Sequence, residues 1–305
     1  MSRGLAHFDL LTARLFVAAI DLESIAEAAR LNGIAASAVS KRIKLLEQEI
    51  GAPLLIRHRR GVGVTDVGMM VLRRARAMLH EARQLEADLV ATRKGLSGRV
   101  VISANETTLM EFVPRILPRF VEAHPAVQLV LEERANAAVV RAVWQNAADI
   151  GIYVGDVPPV ELWHRPIFRD ALVLVVHPDH PLARREEVSM EHILHYEVVG
   201  QATEGTLMAL LTRAASALNR YLKIRLFADG YDTVCAIVSH GLAIGVVSES
   251  SARLFAVRLG LVTLPIGDAW AQREHHICVR ALKDLAPTQR AVLDHLIQAS
   301  DHANL

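Results

Sequence analysis

Along residues 10–94 the apolar positions recur at steps of three and four, the period of helices that bury one face. The first such stretch, 10–20, carries Leu11, Leu15, Ala18 and Ala19 on one side with Phe16 filling in, and ends at Asp21 and Leu22. Ser24 opens a second. Ser24-Ile-Ala-Glu27 has capping-box spacing: the hydroxyl accepts from the Glu27 amide and the carboxylate reaches back. Ala26, Ala28 and Ala29 keep this helix thin, and Asn32-Gly33 supplies the left-handed residues that stop it. In the third, 37–50, Val39, Ile43, Leu46 and Ile50 form a buried stripe, while Ser37, Ser40, Lys41, Lys44 and Gln48 take the opposite face.

Ala52-Pro53 and the apolar Leu54, Leu55 and Ile56 lead into a basic hairpin, Arg57 to Arg60, that turns through Gly61-Val-Gly63. The glycine pair is no phosphate loop, because it lacks the following Lys-Ser/Thr. Two short helices, a tight turn and a basic hairpin form a winged helix-turn-helix, which inserts its second helix into the DNA major groove. Small polar residues at the start of that helix reach base edges and its lysines hold phosphates. Arg57, Arg59 and Arg60 are expected along the backbone or in the minor groove.

Thr65 caps a long helix, 65–94, with Asp66 in its first turn. Val71, Ala75, Met78, Ala82, Leu85 and Leu89 step by four and three, an a/d seam under three heptads long. The seam predicts pairing of two chains through Val71, Met78, Ala82, Leu85 and Leu89; packing on its own domain is the alternative.

A Gly/Ser break at 95–98 precedes a change of pattern. Strands at 99–103, 127–132, 149–154, 171–176, 197–199, 224–228, 243–247 and 276–280 alternate with helices at 106–123, 137–145, 206–218, 233–240 and 287–299. Such alternation predicts an α/β domain on parallel sheet. Ligands of these folds bind beyond strand ends, at helix N-termini. The segments there are 103–107, 134–136, 200–203 and 229–231, so Ser103, Asn105, Thr107, Arg134, Asn136, Gln201, Thr203 and Tyr231, with Ser248 after the strand at 243–247, are the candidate ligand contacts.

Charge adds an asymmetry. Residues 1–94 hold 15 Lys and Arg against 10 Asp and Glu, a net of +5, and residues 95–305 hold 19 against 23, a net of −4. A basic head on an acidic body fits a head that meets phosphates. The composition, 52% hydrophobic and 22% charged, is that of a soluble globular protein, and no apolar run reaches the length of a membrane span. The N-terminus does not read as a signal peptide. Cys235 and Cys278 read as reduced buried thiols, and the chain is expected in the cytoplasm.

Phe16, Ser24, Ala28-Ala29, Leu31, Ala38-Val39-Ser40, Ile43, Leu46-Glu47, Gly51, Leu54-Leu55, Arg57, Thr65 and Gly68 stand in the spacing of one family. The head resembles that of the LysR-type transcriptional regulators. The body resembles the family's effector domain through Phe112-Val-Pro114, Phe120 with His124-Pro125, Asp149-Ile-Gly151, Asp179-His-Pro-Leu182 and Gly241-Leu-Ala-Ile-Gly245. The resemblance implies a winged helix-turn-helix over 1–65, a linker and dimerisation helix over 66–94, and a two-lobed, periplasmic-binding-protein-like α/β domain over 95–305. In it, 98–161 and 267–305 make lobe one and 162–266 lobe two. It implies base and phosphate contacts at Ala36, Ser37, Ser40 and Lys41, and effector contacts at Thr107 and Asn136. The family usually has Gln and Pro where Ala36 and Ser37 stand, and losing the Gln amide removes a bidentate reader of adenine.

The implied partners are double-stranded promoter DNA, a small-molecule effector, RNA polymerase and further copies of the chain, as a dimer and then a tetramer. No cofactor and no metal is expected. His177-Pro-Asp-His180 is flanked by prolines, and His275-His276 alternate across a strand. No nucleophile elbow or Rossmann fingerprint points to an enzyme. Glu132-Glu133 and Glu186-Glu187 are adjacent in sequence and do not converge as an acid/base pair. The alternative reading is an architectural DNA-binding protein whose body only assembles copies.

Overall fold

The computed structural model describes residues 7–58, 61–155, 161–201 and 206–302, without the side chains at 84, 86–94, 206 and 302. The chain divides into two compact units, the first built on residues up to Leu96 and the second mainly on residues from Ser97 onward.

The first unit runs α1 (Leu10–Asp21), α2 (Ile25–Leu31), α3 (Ala36–Ile50), β1 (Leu55–His58), β2 (Gly61–Val64) and α4 (Asp66–Lys94). Side-chain caps start three of its helices. Asp9 accepts from the Thr12 amide at 2.7 Å, Ser24 from Glu27 at 3.2 Å and Thr65 from Gly68 at 2.9 Å. The reciprocal half of the expected capping box does not form. The Ser24 amide already donates to the Ala19 carbonyl at 3.0 Å, and the Glu27 carboxylate takes Arg30 instead. The buried face of α1 is Thr12, Ala13, Leu15, Phe16 and Ala19, so Leu11 faces solvent. Phe16, Ala28, Ala29, Val39, Ile43, Leu46, Leu54, Leu72 and Ala75 close the core.

Backbone contacts hold the wing. The Glu47 carboxylate accepts from the amides of Leu54 and Leu55 at 2.8 and 3.2 Å. The Val62 amide donates to the Glu23 carbonyl at 2.9 Å. Where α4 begins, Thr65 donates its amide to Leu54 and its hydroxyl to Pro53. The backbone passes so closely here that a Cβ on Gly68 would run into the Leu54 carbonyl.

The second unit begins β3 (Gly98–Ala104), α5 (Glu106–Glu111), α6 (Val113–Ala123), β4 (Val127–Glu133), α7 (Asn136–Trp144), β5 (Ile150–Val154) and β6 (Trp163–Val176). It continues α8 (Met190–Ile193), β7 (Glu197–Gly200), α9 (Thr206–Ala217), β8 (Lys223–Phe227), α10 (Tyr231–Ser239), β9 (Gly245–Ser248), α11 (Glu249–Ser251), β10 (Val262–Pro265), β11 (Gln272–Val279) and α12 (Pro287–His302). The helix expected over 106–123 is broken at Phe112, because Pro114 has no amide with which to continue the ladder of α5.

The sheet is mixed rather than parallel. β4 and β5 flank β3 in parallel, but β11 runs antiparallel to both β5 and β6. β6 is one strand of 14 residues with two duties. Its first part, 163–171, pairs with β11; its second, 172–176, pairs with β9 and β10. Two lobes follow from this division. One has its core at Val100, Ile102, Ile150, Ile152, Ile277 and Leu293. The other is built on Leu172, Leu174, Val176, Val234 and Val246, with the parallel pair β7 and β8 beside them. α12 is tied to the first lobe by Gln289 donating to Asp149 and Thr288 to the Ser97 carbonyl. Among the described residues no helix is long and apolar enough to cross a membrane.

Gly68→Ala is expected to destabilise the head by about 2 kcal/mol, the usual cost of overpacking against backbone that cannot move. Gly33→Ala, open to solvent but at φ +66°, is expected to cost about 1 kcal/mol. Calorimetry of the full chain checks both values and their order.

Candidate functional site

Two surfaces carry candidate chemistry. The first is the outer face of α3, where Ala36, Ser37, Lys41, Lys44 and Gln48 are exposed and Ser40 is half-buried. Its N-cap, Ala35, makes no side-chain hydrogen bond, which leaves the first amides uncapped beside these groups. Arg42 is drawn off this face by Asp9 and Thr12. Arg57 is exposed on β1. Among the described residues Lys41, Lys44 and Arg57 have no ion-pair partner. Arg59 and Arg60 lie outside the described residues.

Along α4, the seam residues meet different surroundings. Ala75 and its neighbour Leu72 are buried in the head's own core, with Val71 packed against it. Met78 and Ala82 are half-buried, and Leu85 is 61% exposed. The side chain of Leu89 is outside the description.

The second surface is a cavity of about 240 Å³ in the second unit, lined by Asn105, Glu106, Thr107, Glu133, Arg134, Gln201, Asp229, Tyr231 and Arg273, among others. Five of the residues singled out by sequence therefore meet there: Asn105, Thr107, Arg134, Gln201 and Tyr231. Ser103, Asn136 and Ser248 do not line it. Ser103 is buried beneath, and the Asn136 amide is consumed by Val154 and Asn105. Ser248 bonds Glu111 and Ser251. Thr203 lies outside the described residues.

The wall behind the cavity is a buried polar cluster that sequence reasoning missed. Asp170 on β6 and Arg273 on β11 are cross-strand partners, joined by Nε to Oδ1 at 2.7 Å and by a second bond from Nη2. Thr107 Oγ1 lies 3.4 Å from both Arg273 Nη2 and Tyr231 Oη. His275 Nε2 is 3.2 Å from Asp170 Oδ2 without hydrogen-bond alignment, and its Nδ1 meets Thr108 Oγ1 at 3.1 Å. Burial opposes charge on Asp170, but His275 and Arg273 outweigh it and hold the carboxyl at about 2. Burial lowers the pKa of His275, against the pull of Asp170, and the ring stacks on Phe168 at 3.9 Å between ring centroids. The signal was present as Arg273 and His275 two apart on one strand face. Expecting that strand only from residue 276 hid it.

Helix α5 touches the other lobe at both ends. Glu106 accepts the Tyr231 amide at 3.1 Å, and Ser248 Oγ donates to Glu111 at 2.8 Å. Burial raises the pKa of Glu106, and repulsion from Glu133, Asp232 and Asp229 adds to it. Burial pushes Glu111 up to about 7, against the Ser248 hydrogen bond. Elsewhere, the paired histidines part company: His276 stacks on Tyr153, across the strand from His275's partners. Cys235 and Cys278 are buried free thiols.

Comparison with known proteins assigns both units. The family model for the bacterial regulatory helix-turn-helix protein, lysR family, matches residues 10–69, and that for the LysR substrate binding domain matches residues 93–301. The chain is 27% identical over 294 residues to the RuBisCO operon transcriptional regulator of Allochromatium vinosum, covering 95% of this chain and 96% of that one. A full-length OxyR variant from Pseudomonas aeruginosa matches with a TM-score of 0.72 at 17% identity, over 97% of this chain and 96% of that one. The effector binding domain of QuiR in complex with shikimate matches at 0.60 and 17%, over 68% of this chain and 100% of that one. The two solved structures share the fold.

The Glu111 shift sets a pH dependence. A carboxyl whose pKa is higher folded than unfolded costs stability as pH rises through the interval between the two values. Glu111→Gln, which keeps the acceptor for Ser248, is expected to match the parent below pH 4.5 and to melt progressively higher than it as pH rises toward about 7. Melting curves of both proteins across that range check the sign.

Proposed function

Because the chain belongs to the LysR family of bacterial regulatory helix-turn-helix proteins, we propose that its head reads promoter DNA through α3 and that its body tunes this in response to a small effector. The chain is a DNA-binding transcriptional regulator by family. The proposal concerns which residues act. Ala36, Ser37 and Ser40 face the base edges, Lys41 and Lys44 the phosphates, and Arg57 with Arg59 and Arg60 the flanking backbone or minor groove. The observation that carries this is the outer face of α3, cationic, unpaired and uncapped, held by a wing that is hydrogen-bonded into the same core. Ala36 and Ser37 cannot make the bidentate adenine contact of a Gln, so sequence choice rests more on DNA shape and on methyl contacts.

The cavity beside Thr107 and Tyr231 takes the effector. Residues of both lobes line it, so a ligand that binds one lobe arrangement better than another shifts the equilibrium between them. The site binds rather than catalyses: among the described residues the Asp170 carboxylate behind it is bonded to Arg273, and His275 beside it is buried and does not line the cavity. Two chains pair along α4 through Met78, Ala82, Leu85 and Leu89, with Val71 at the edge of the head core, which presents two α3 helices to two half-sites. The effector domains assemble dimers into a tetramer, RNA polymerase is the downstream partner, and the protein works in the cytoplasm, where its DNA is.

Two measurements test this. Lys41→Ala and Arg57→Ala are each expected to weaken binding to any duplex and to lower the slope of log affinity against log salt by about 0.9, one phosphate contact each. Fluorescence anisotropy at four salt concentrations reads the slope, and unchanged slopes remove these residues from the interface. Leu85→Asp is expected to weaken self-association at least about tenfold, a loss of about 1.4 kcal/mol, in sedimentation equilibrium. An unaltered dimer places pairing elsewhere.

A further inference from the structure

The charges that line the cleft do not balance, and the imbalance has a direction. Its two cations are already neutralised from within. Arg273 gives Nε and Nη2 to Asp170, and Arg134 gives Nε and Nη2 to Glu132 at 3.2 and 2.9 Å. The carboxylates of the lining are not. Glu106, Glu133 and Asp229 face the cavity, and among the described residues none has a cation partner. Glu106 receives only the Tyr231 amide, and Asp232 stands beside Gly230 at the same rim.

Glu133 and Asp229 are exposed, so solvent screens much of their field. Glu106 is half-buried and feels it most: the like charges around it add to burial in raising its pKa. A neutral donor stands in the same wall. Gln201 lines the cavity, and its Nε2 is buried without a hydrogen-bond partner among the described residues. An orphaned donor of this kind is uncommon in a native wall.

We propose that the effector carries a cationic group, an ammonium or guanidinium, received between Glu106, Glu133 and Asp229, and that a carboxylate or phosphate effector is disfavoured in this cleft. This rests on the cleft being the effector site. A cation gains from three uncompensated carboxylates and relieves the repulsion among them. An anion meets that repulsion and finds both arginines engaged. Neutral oxygens of the same ligand meet Gln201 and Thr107.

The test uses the full-length protein and thermal-shift titrations at constant ionic strength, with sodium chloride as the counterion control. The probes are methylammonium, 1,4-diaminobutane and agmatine on one side, and shikimate and inorganic phosphate on the other. The expected result is a saturable rise in melting temperature with at least one cation beyond the sodium control, and none with either anion. The double variant Glu133→Gln/Asp229→Asn, at exposed positions, should keep its basal melting temperature and CD spectrum and lose at least tenfold in apparent cation affinity. A cation response that survives the double variant overturns the assignment. A saturable response to shikimate or phosphate, abolished by Arg134→Ala, overturns the charge assignment while sustaining the cleft as an effector site. No response to any probe overturns both.

Discussion

The buried pair of Asp170 and Arg273 is the constraint around which the second unit is arranged. The two residues face each other across β6 and β11 and are almost fully buried. Burying two charges is expensive, and removing one member of such a pair typically costs about 3–5 kcal/mol because the other is left unpaired. The pairing register of the two strands is fixed accordingly, since a slip of one strand by one residue would turn its charge onto the other face and leave the partner unpaired. His275 and Phe168, the next pair on that face, stack where the register allows them to. Phe112 stacks on Phe168 in turn, which fixes the break between α5 and α6 over the strands. The position of α5, and with it Thr107, thus follows from a charge pair in the sheet below.

That cluster explains why the cleft was only partly legible in sequence. The five lining residues found by sequence reasoning, Asn105, Thr107, Arg134, Gln201 and Tyr231, stand just after strands or at helix starts, where local pattern suffices. Arg273 and Asp170 are 103 residues apart, and nothing local in either stretch announces the other. Ser103, Asn136 and Ser248 stand at equivalent strand ends, yet each is taken up by neighbours. Asn136, for example, closes a backbone gap at Val154 with both atoms of its amide. Sequence position identifies the rim of such a crevice; which rim residue is left with a free group depends on contacts between distant segments.

The head was far more legible because its structure is local. Caps at Ser24 and Thr65, the turn at Gly33 and the stripe of Val39, Ile43 and Leu46 are set by residues a few positions apart. The misreadings have local causes too. Leu11 satisfies helical periodicity, but Thr12, Leu15 and Ala19 satisfy it as well and are the ones buried. Glu27 has the spacing of a capping box, but a nearer cation takes it. The sheet was expected to be parallel because strands and helices alternate; a strand that returns late in the chain, β11, can join from either direction, and here it enters antiparallel.

Helix α5 has consequences beyond its six residues. It rests on the Phe112–Phe168 stack in one lobe, while its two terminal carboxylates bond groups that belong to the other, the Tyr231 amide and the Ser248 hydroxyl. Burial raises the pKa of both carboxyls, that of Glu111 to about 7. Glu106 also lines the cleft. On the proposed assignment, a ligand received at Glu106 meets a residue that also makes a contact between the lobes. On that assignment, one carboxylate belongs both to the cleft and to the contact between lobes. The coupling available is bounded by the difference in ligand affinity between the two lobe arrangements, and a single half-buried carboxylate is a site where such a difference arises readily.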